Sequence, residues 1–428
     1  YKRKTWKDDG RYCSMSKKKE VAVEQPSQDK ATKVLHEIMA GDPVRIALSV
    51  LLGFIIGAIF MVVFDKSVVK AWGNFGADPS MALSTVWWTI QDGYGALFSG
   101  SILNFGADSF VSAIRPFTET LRFAAPLIMA GLGVALTFRV GLFNIGSTGQ
   151  ILVGLAGSTF VATRLEMPII IHMLVAVFAA VVCAMVWGMI VGVLKAKTGA
   201  HEVIVTIMLN YVALSLFTYL LRQPELLLEE GGGGTPKSDN PDDTARLGLL
   251  FGPDFQLHYG LIFAVLAVVF YWWLMEKSTF GFRFRMVGHN PSAAKAAGIK
   301  VENTFVWALA ISAGFSGLAA ANQGLSVDGG LTTSIEAGIG FDAITVALLG
   351  GSRAGGVVMA GLLFGAFKAG SATMQVAGVS PEVLGVVKAL IVLFIAAPPI
   401  IRAFYRLPVP GPKVFEATQK AKAAKVIK

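Results

Sequence analysis

Apolar runs long enough to cross a bilayer recur along the chain. A hydrocarbon core of about 30 Å takes about 20 helical residues. Uncharged stretches of that order occupy residues 46–64, 140–163, 167–194, 203–221, 255–275 and 303–327, with a shorter one at 123–138. Beyond residue 340, single charges at Asp342, Arg353, Lys368, Glu382 and Lys388 interrupt the pattern, which predicts three short helices near 339–351, 354–370 and 381–400. The sum is an all-α, polytopic membrane protein with about ten transmembrane helices. Barrel strands need only about 10 residues and alternate in polarity, and these runs do neither. Residues 65–120 are mixed, with Trp72, Trp87, Trp88 and Tyr94 among Gly and Asp. Such a stretch suits an outer interfacial segment with aromatic anchors.

Composition agrees with this pattern. Of 428 residues, 54% are hydrophobic and 15% charged, well below the usual quarter for charge. A soluble enzyme, a disordered chain and a nucleic-acid-binding domain are therefore excluded as first readings, despite a net charge of +9. The basic excess is segmental. Ten Lys/Arg stand against seven acids up to residue 43, five against two in 276–302, and seven against one in 402–428, whereas 222–257 holds three against seven. The inside-positive bias puts the first three in the cytoplasm and the last outside. Both termini are then cytoplasmic, as an even number of crossings requires. The organisation follows: a basic cytoplasmic segment 1–43, a transmembrane domain 44–401 and a basic cytoplasmic tail 402–428. Met15 and Ser16, followed by Lys17, Lys18 and Lys19, read as a natural start, so Tyr1 to Ser14 are set apart as not native. Gly231 to Asp243 read as a flexible, polar outer loop. Cys13 and Cys183 make no disulfide framework, and the five scattered His offer no metal-ligand spacing.

Inside a membrane, polar side chains need partners or a water-filled cavity, so they carry the functional information. The richest stretch runs from Arg139 to Gln150, with Asn144, Ser147, Thr148 and Gln150 interleaved with Gly141, Gly146 and Gly149. Two readings stay open: a broken helix lining a cavity, or a turn between two spans. A second stretch runs from His201 to Tyr211, where Thr206 and Asn210, four apart, share a helix face. That face belongs either to a pathway or to interhelical hydrogen bonding. His201 and Glu202 lack the second His of a zinc motif, because Val205 stands there.

Glycine pairs at four-residue spacing, Gly53 and Gly57, Gly188 and Gly192, and Gly361 and Gly365, predict close helix contacts. The Gly-rich stretches at 231–234 and 350–356 lack the phosphate-loop pattern. Between Gly281 and Ile299 lies a basic segment too regular for a plain linker. Asn290 and Pro291 predict the start of a short helix and Gly298 its end, with small residues and Lys295 between. A short helix of that kind suits docking into another protein's groove.

Four motifs in this order, 141–150, 202–211, 281–299 and 340–351, resemble the permease subunits of bacterial ABC importers. The superfamily is the one serving branched-chain amino acids, ribose and nucleosides. The wording of 143–146 and 206–211 resembles its nucleoside and simple-sugar branch. The resemblance spans residues 44–400 and implies a multi-pass protein of the bacterial plasma membrane. It further implies a second, related permease subunit, a separate ATPase that consumes ATP and Mg, and an extracytoplasmic substrate-binding lipoprotein. No cofactor would be held by this chain itself, which would be a transport subunit and not an enzyme. Asn144, Gln150, Thr206, Asn210 and Asp342 would belong to the substrate pathway, with Phe143 and Tyr211 as aromatic candidates for stacking on a base. Gly288, Asn290, Pro291, Ala293, Ala294 and Gly298 would couple the chain to the ATPase.

Three positions depart from the family pattern: Thr148 where an acid is usual, His201 where Asn is usual, and Arg353 with Ala354 where Asn-Pro is usual. The first bears on the substrate. Besides nucleosides, the same machine could carry ribose, another simple sugar or a branched-chain amino acid. An ion-coupled secondary transporter would need carboxylates within the spans, and the longest spans have none.

Overall fold

The computed structural model describes residues 42–397 apart from 77, 230–235 and 327–329, together with 400, 404 and 405. The basic N-terminal segment, the reading of Met15 as a start, Cys13, the GGGG stretch and most of the tail lie outside the described residues. Residues 46–401 form one compact unit.

Among the described residues, fourteen helices carry it. They are α1 (Asp42–Phe64), α2 (Lys66–Gly73), α3 (Pro79–Ser101), α4 (Phe110–Val140), α5 (Ser147–Arg164), α6 (Ile169–Thr198), α7 (Glu202–Leu220), α8 (Gly260–Lys277), α9 (Thr279–His289), α10 (Pro291–Ala296), α11 (Val301–Leu325), α12 (Ile339–Leu349), α13 (Ala354–Val376) and α14 (Pro381–Ala396). Among the described residues there is no strand, only isolated bridges between Leu228 and Ser238, Lys237 and Thr332, and Leu249 and His258. Among the described residues, seven helices, α1, α4, α6, α7, α8, α11 and α13, are long and apolar enough to cross a membrane. The three short helices predicted after residue 338 are present as α12, α13 and α14, with α13 running six residues further than expected.

The helices divide into a centre and a shell. In α4 and α11, 83% and 72% of the apolar window is buried, against 28% in α1 and α6 and 17% in α7. The shell turns Ile55, Ile59, Phe178, Val186, Ile204 and Val265 outward, which suits side chains solvated by lipid. The three glycine pairs make the close contacts their spacing predicts. A Cβ on Gly53 or Gly57 would stand about 2.5 Å from Ile391 or Val387 on α14. One on Gly188 or Gly192 would collide with Leu309 or Val306 on α11, and one on Gly361 or Gly365 with Ile128 or Thr120 on α4.

Two expectations need correction. Residues 65–120 are largely helical, because Asp65 and Asp78 cap α2 and α3 with side-chain acceptors. Trp72, Trp87 and Trp88 are exposed, as anchors would be. Tyr94 turns inward and donates its hydroxyl to the carbonyl of Phe54, while Gly100 and Leu97 lie against Thr373 and Gly370 of α13. The stretch from Gly231 to Asp243 is not free along its described half. Ser238 is fully buried, its N–H donates to Leu331 O at 3.0 Å and its hydroxyl accepts from Leu331 N at 2.8 Å. Asp242 N donates to Ala162 O at 2.9 Å.

Candidate substrate pathway and coupling surface

The polar stretch 139–150 is a break between two helices. Gly141, at φ +81°, ends α4 in the left-handed conformation, with Gly141 N bonded to Phe138 O and Leu142 N to Thr137 O. Residues 142–146 are non-helical, and α5 starts at Ser147. Free backbone groups in an apolar bundle are costly, and amide side chains satisfy them here. Asn144 Oδ1 accepts from Gly146 N at 2.9 Å. Asn210 of α7 donates to Ile145 O and accepts from Gly149 N, both at 2.9 Å.

Behind this clamp lies a closed network. Asn144 and Gln150 exchange amide hydrogen bonds at 3.3 Å. Asn144 Nδ2 also donates to Ser312 Oγ at 3.0 Å, Ser316 Oγ donates to Gln150 Oε1 at 3.1 Å, and Ser147 and Ser316 hydroxyls share a bond of 2.9 Å. Asn144, Gln150, Ser147, Ser312 and Ser316 are all buried. Thr206 is buried too. Its hydroxyl donates to Glu202 O and Val203 O, and its methyl end lies against Gly146. Thr206 and Asn210 therefore share the α7 face that grips the break. Asn210 is half-buried, whereas Phe143 and Tyr211 are exposed. The serines on α11 were not singled out from sequence, because nothing local marks which of its many small residues meets residue 144.

The second half of the site was missed more completely. After α11 the chain turns back into the bundle. Leu331 lies beside Gly324, yet five residues later Glu336 reaches Thr148, the neighbour of the Ser147 that meets Ser316. Along α11, Gly324 and Ser316 are about 12 Å apart. Glu336 Oε1 accepts from Thr148 Oγ1 at 3.2 Å and from Gly340 N at 2.6 Å, and Oε2 from Gly338 N at 3.0 Å. The first turns of α5 and α12 touch here, for a Cβ on Gly340 would stand 2.4 Å from Thr148 N. Thr148, where the family pattern expects an acid, is thus hydrogen-bonded to an acid from another element.

One turn along, Asp342 pairs with Lys368 at 3.4 Å and with Lys388 at 3.7 Å, and Lys368 Nζ donates to Ala337 O at 2.9 Å. These three side chains are only 16–25% exposed. A signal for them existed: charges interrupting apolar runs need counter-charges, and Lys368 and Lys388 are the bases available to Asp342.

The third part is the segment 279–299. Ser278 caps α9 by accepting from Gly281 N, and Asn290 caps α10 by accepting from Ala293 N at 3.1 Å, with Pro291 at the first position. Gly298, at φ +81°, ends the motif. Pro291, Ala293 and Lys295 are exposed, while Ala294 is buried against its own chain. Gly288 meets the end of α4, where a Cβ would stand 2.1 Å from Arg139 O. Arg139 itself pairs with Glu276 at 2.7 Å, and Arg285 joins the same carboxylate at 3.4 Å. The end of α9, which leads directly into α10, is therefore fixed against the last turn of α4, two residues before the Gly141 break.

Comparison with known proteins agrees with this arrangement. Residues 117–396 match the family described as the permease component of the branched-chain amino acid transport system. The chain belongs to this permease family. The guanosine ABC transporter permease protein NupP of Bacillus subtilis is 40% identical over 74% of this chain and 88% of its own length. The glucose ABC transporter permease protein TsgB13 of Haloferax volcanii is 34% identical over 71% of this chain and 80% of its own. The nucleoside ABC transporter permease protein NupB of Lactococcus lactis is 31% identical over 88% of this chain and 95% of its own. No solved structure matches. The permease is a multi-pass plasma-membrane transport protein, as its family and its seven membrane-length helices require.

Proposed function

We propose that this permease is one of two related subunits forming the pathway of an ATP-driven importer for nucleosides. The observation that carries the reading is the physical continuity between the capped helix α10 and the buried amide-hydroxyl network, through Gly288, Arg139 and the break at Gly141. NupP and NupB, both named as nucleoside-class permeases, support the substrate, since both match along most of their length. TsgB13, named for glucose, motivates the second reading, a simple sugar.

Ten crossings are counted by adding α5, α12 and α14 to the seven long helices, with α2 and α3 on the outer side and both termini inside. Antiparallel contacts along the sequence support this count: α1 meets α14 in reverse register at Gly53 with Ile391 and Gly57 with Val387. The substrate passes the face where the break of 142–146 and the start of α12 converge. Asn210 and Asp342, both partly exposed, stand nearest that face. Asn144, Gln150 and Thr206 form its wall, and turn their polar atoms to a substrate when the break rearranges. Amides that donate and accept suit ribose hydroxyls and base edges.

On the cytoplasmic side, Pro291 and Ala293 seat on a separate ATPase that uses ATP and Mg. Asn290 and Gly298 hold the shape of α10, and Gly288 and Ala294 hold it to the permease. A lipoprotein delivers substrate outside, and ATP-driven rearrangement opens the pathway alternately. Glu336 and Asp342 are the carboxylates an ion-coupled carrier would use, but two backbone N–H groups hold one and two ammonium groups the other. Competition of labelled-nucleoside uptake by nucleosides, ribose, glucose and branched-chain amino acids decides the substrate. Nucleosides should compete and the others should not.

A further inference from the structure

At the end of the bundle that carries α10, the permease has a second concave feature, apart from the substrate face. A cavity of about 640 Å³ lies between α9 and the first turns of α11, lined by Phe280, Arg283, Lys300, Asn303, Thr304 and Trp307. Neither Arg283 nor Lys300 has an ion pair among the described residues, and the Arg283 guanidinium lies 5.9 Å over the Phe280 ring. Past Asn303 and Trp307 a further groove of about 490 Å³ continues along Val193, Ala196 and Val306, with Lys197 beside it. Its acid, Glu302, is held by Lys295 at 3.6 Å. Phe280 and Trp307 in the lining are about half exposed, as are Phe282 on α9 and Trp272 and Trp273 at the end of α8, and Lys277 sits 5.8 Å over the Trp272 ring.

Exposed aromatic rings mixed with cations mark the headgroup level of a membrane. Uncompensated cations in a concave site call for an anion, and an apolar groove leading away from it calls for a hydrocarbon chain. We propose that this cavity binds an anionic phospholipid of the cytoplasmic leaflet, with its phosphate between Arg283 and Lys300 and one acyl chain along Val193 and Val306. The site rests on the reading of this end as the coupling side. The lipid then bridges α9 and α11, the two helices flanking α10, and stiffens the seat of the ATPase.

The test uses the assembled importer in nanodiscs of phosphatidylcholine with graded phosphatidylglycerol, and native mass spectrometry counts the lipid retained. The wild type should keep phosphatidylglycerol over phosphatidylcholine. In R283Q/K300Q that preference should fall about twenty-five-fold, the product of about fivefold per cation. K277Q, outside the cavity, should retain it, and millimolar inorganic phosphate should not displace it. Monodisperse elution with the ATPase bound shows that the double variant is folded; failing that, R283Q alone is read, with about fivefold expected. Equal retention in wild type and R283Q/K300Q overturns the proposal, and so does an equal loss in K277Q, which would be a diffuse charge effect. A crosslink placing an acidic ATPase side chain against Lys300 also overturns it. Because retention is read without uptake, an unoccupied cavity leaves transport intact, whereas a chain that is no importer subunit fails already at co-purification with the ATPase.

Discussion

Gly288 and Arg139 are in backbone contact: the nearest atom to a Cβ built on Gly288 is the Arg139 carbonyl oxygen, at 2.1 Å. That contact joins the end of α9 to the last turn of α4, and only glycine permits it. Replacement by Ala or Val must push the α9–α10 hairpin away from α4, at a cost of about 1–3 kcal/mol. Uptake by the assembled importer should fall at least tenfold in G288V. ATPase activity measured in parallel should fall less, because the two halves become uncoupled before they come apart.

The two neighbouring alanines of α10 should behave differently. Ala293 is exposed and Ala294 buried. Ala293→Trp should leave the melting temperature of the purified permease unchanged and weaken its co-purification with the ATPase. Ala294→Trp should lower the melting temperature by overpacking, whether or not the ATPase is present. A thermal melt of each variant alone, followed by a pull-down, separates the two.

Asn144 satisfies Gly146 N, Ser312 and Gln150 at once. Asn144→Leu leaves several buried polar groups unpaired, at about 1–3 kcal/mol each. Its melting temperature should drop clearly and uptake should be lost. Ser312→Ala, which removes a single bond at the edge of the network, should have less than half that effect on melting.

The charges around Asp342 should show coupling in a double-mutant cycle. Lys368→Met alone leaves Ala337 O and Asp342 without their strongest partner, although Lys388 remains at 3.7 Å. Its cost should be about 3 kcal/mol. Asp342→Asn with Lys368→Met should cost less than the sum of the single changes, by about 1 kcal/mol or more in chemical denaturation.

Thr148→Glu puts a second carboxylate within reach of Glu336. Two like charges that close repel. T148E should therefore melt below the wild type, and T148E/E336Q, which removes one of the two charges, should recover most of the loss, as read by thermal melts of the purified permease.

How much of this was legible in the sequence depended on how local the cause was. The spans were, because each apolar run is its own signal, and so was α10, because Asn290, Pro291 and Gly298 cap it within nine residues. The amides of 144 and 150 stood out by type, but their partners Ser312 and Ser316 lie over 160 positions away and look like ordinary small residues. The turn of 330–338 back into the bundle was hidden for a different reason. Its anchor, Glu336, bonds to backbone N–H groups and to Thr148, and backbone partners leave no trace in composition. Asp342 was visible as an acid near a helix start, while its pairing with Lys368 and Lys388 needed the packing of α12 on α13 and α14.

The central claim, that this permease passes nucleosides under the control of a separate ATPase, is tested most directly by uptake of a labelled nucleoside into proteoliposomes. These hold the permease, its partner permease and the ATPase, with the delivering protein outside. Accumulation should require ATP inside the vesicle, be competed by unlabelled nucleosides but not by glucose, and fall at least tenfold in G288V. Uptake by the single chain under an ion gradient without ATP would contradict the account, as would ATP-driven uptake that glucose competes and nucleosides do not.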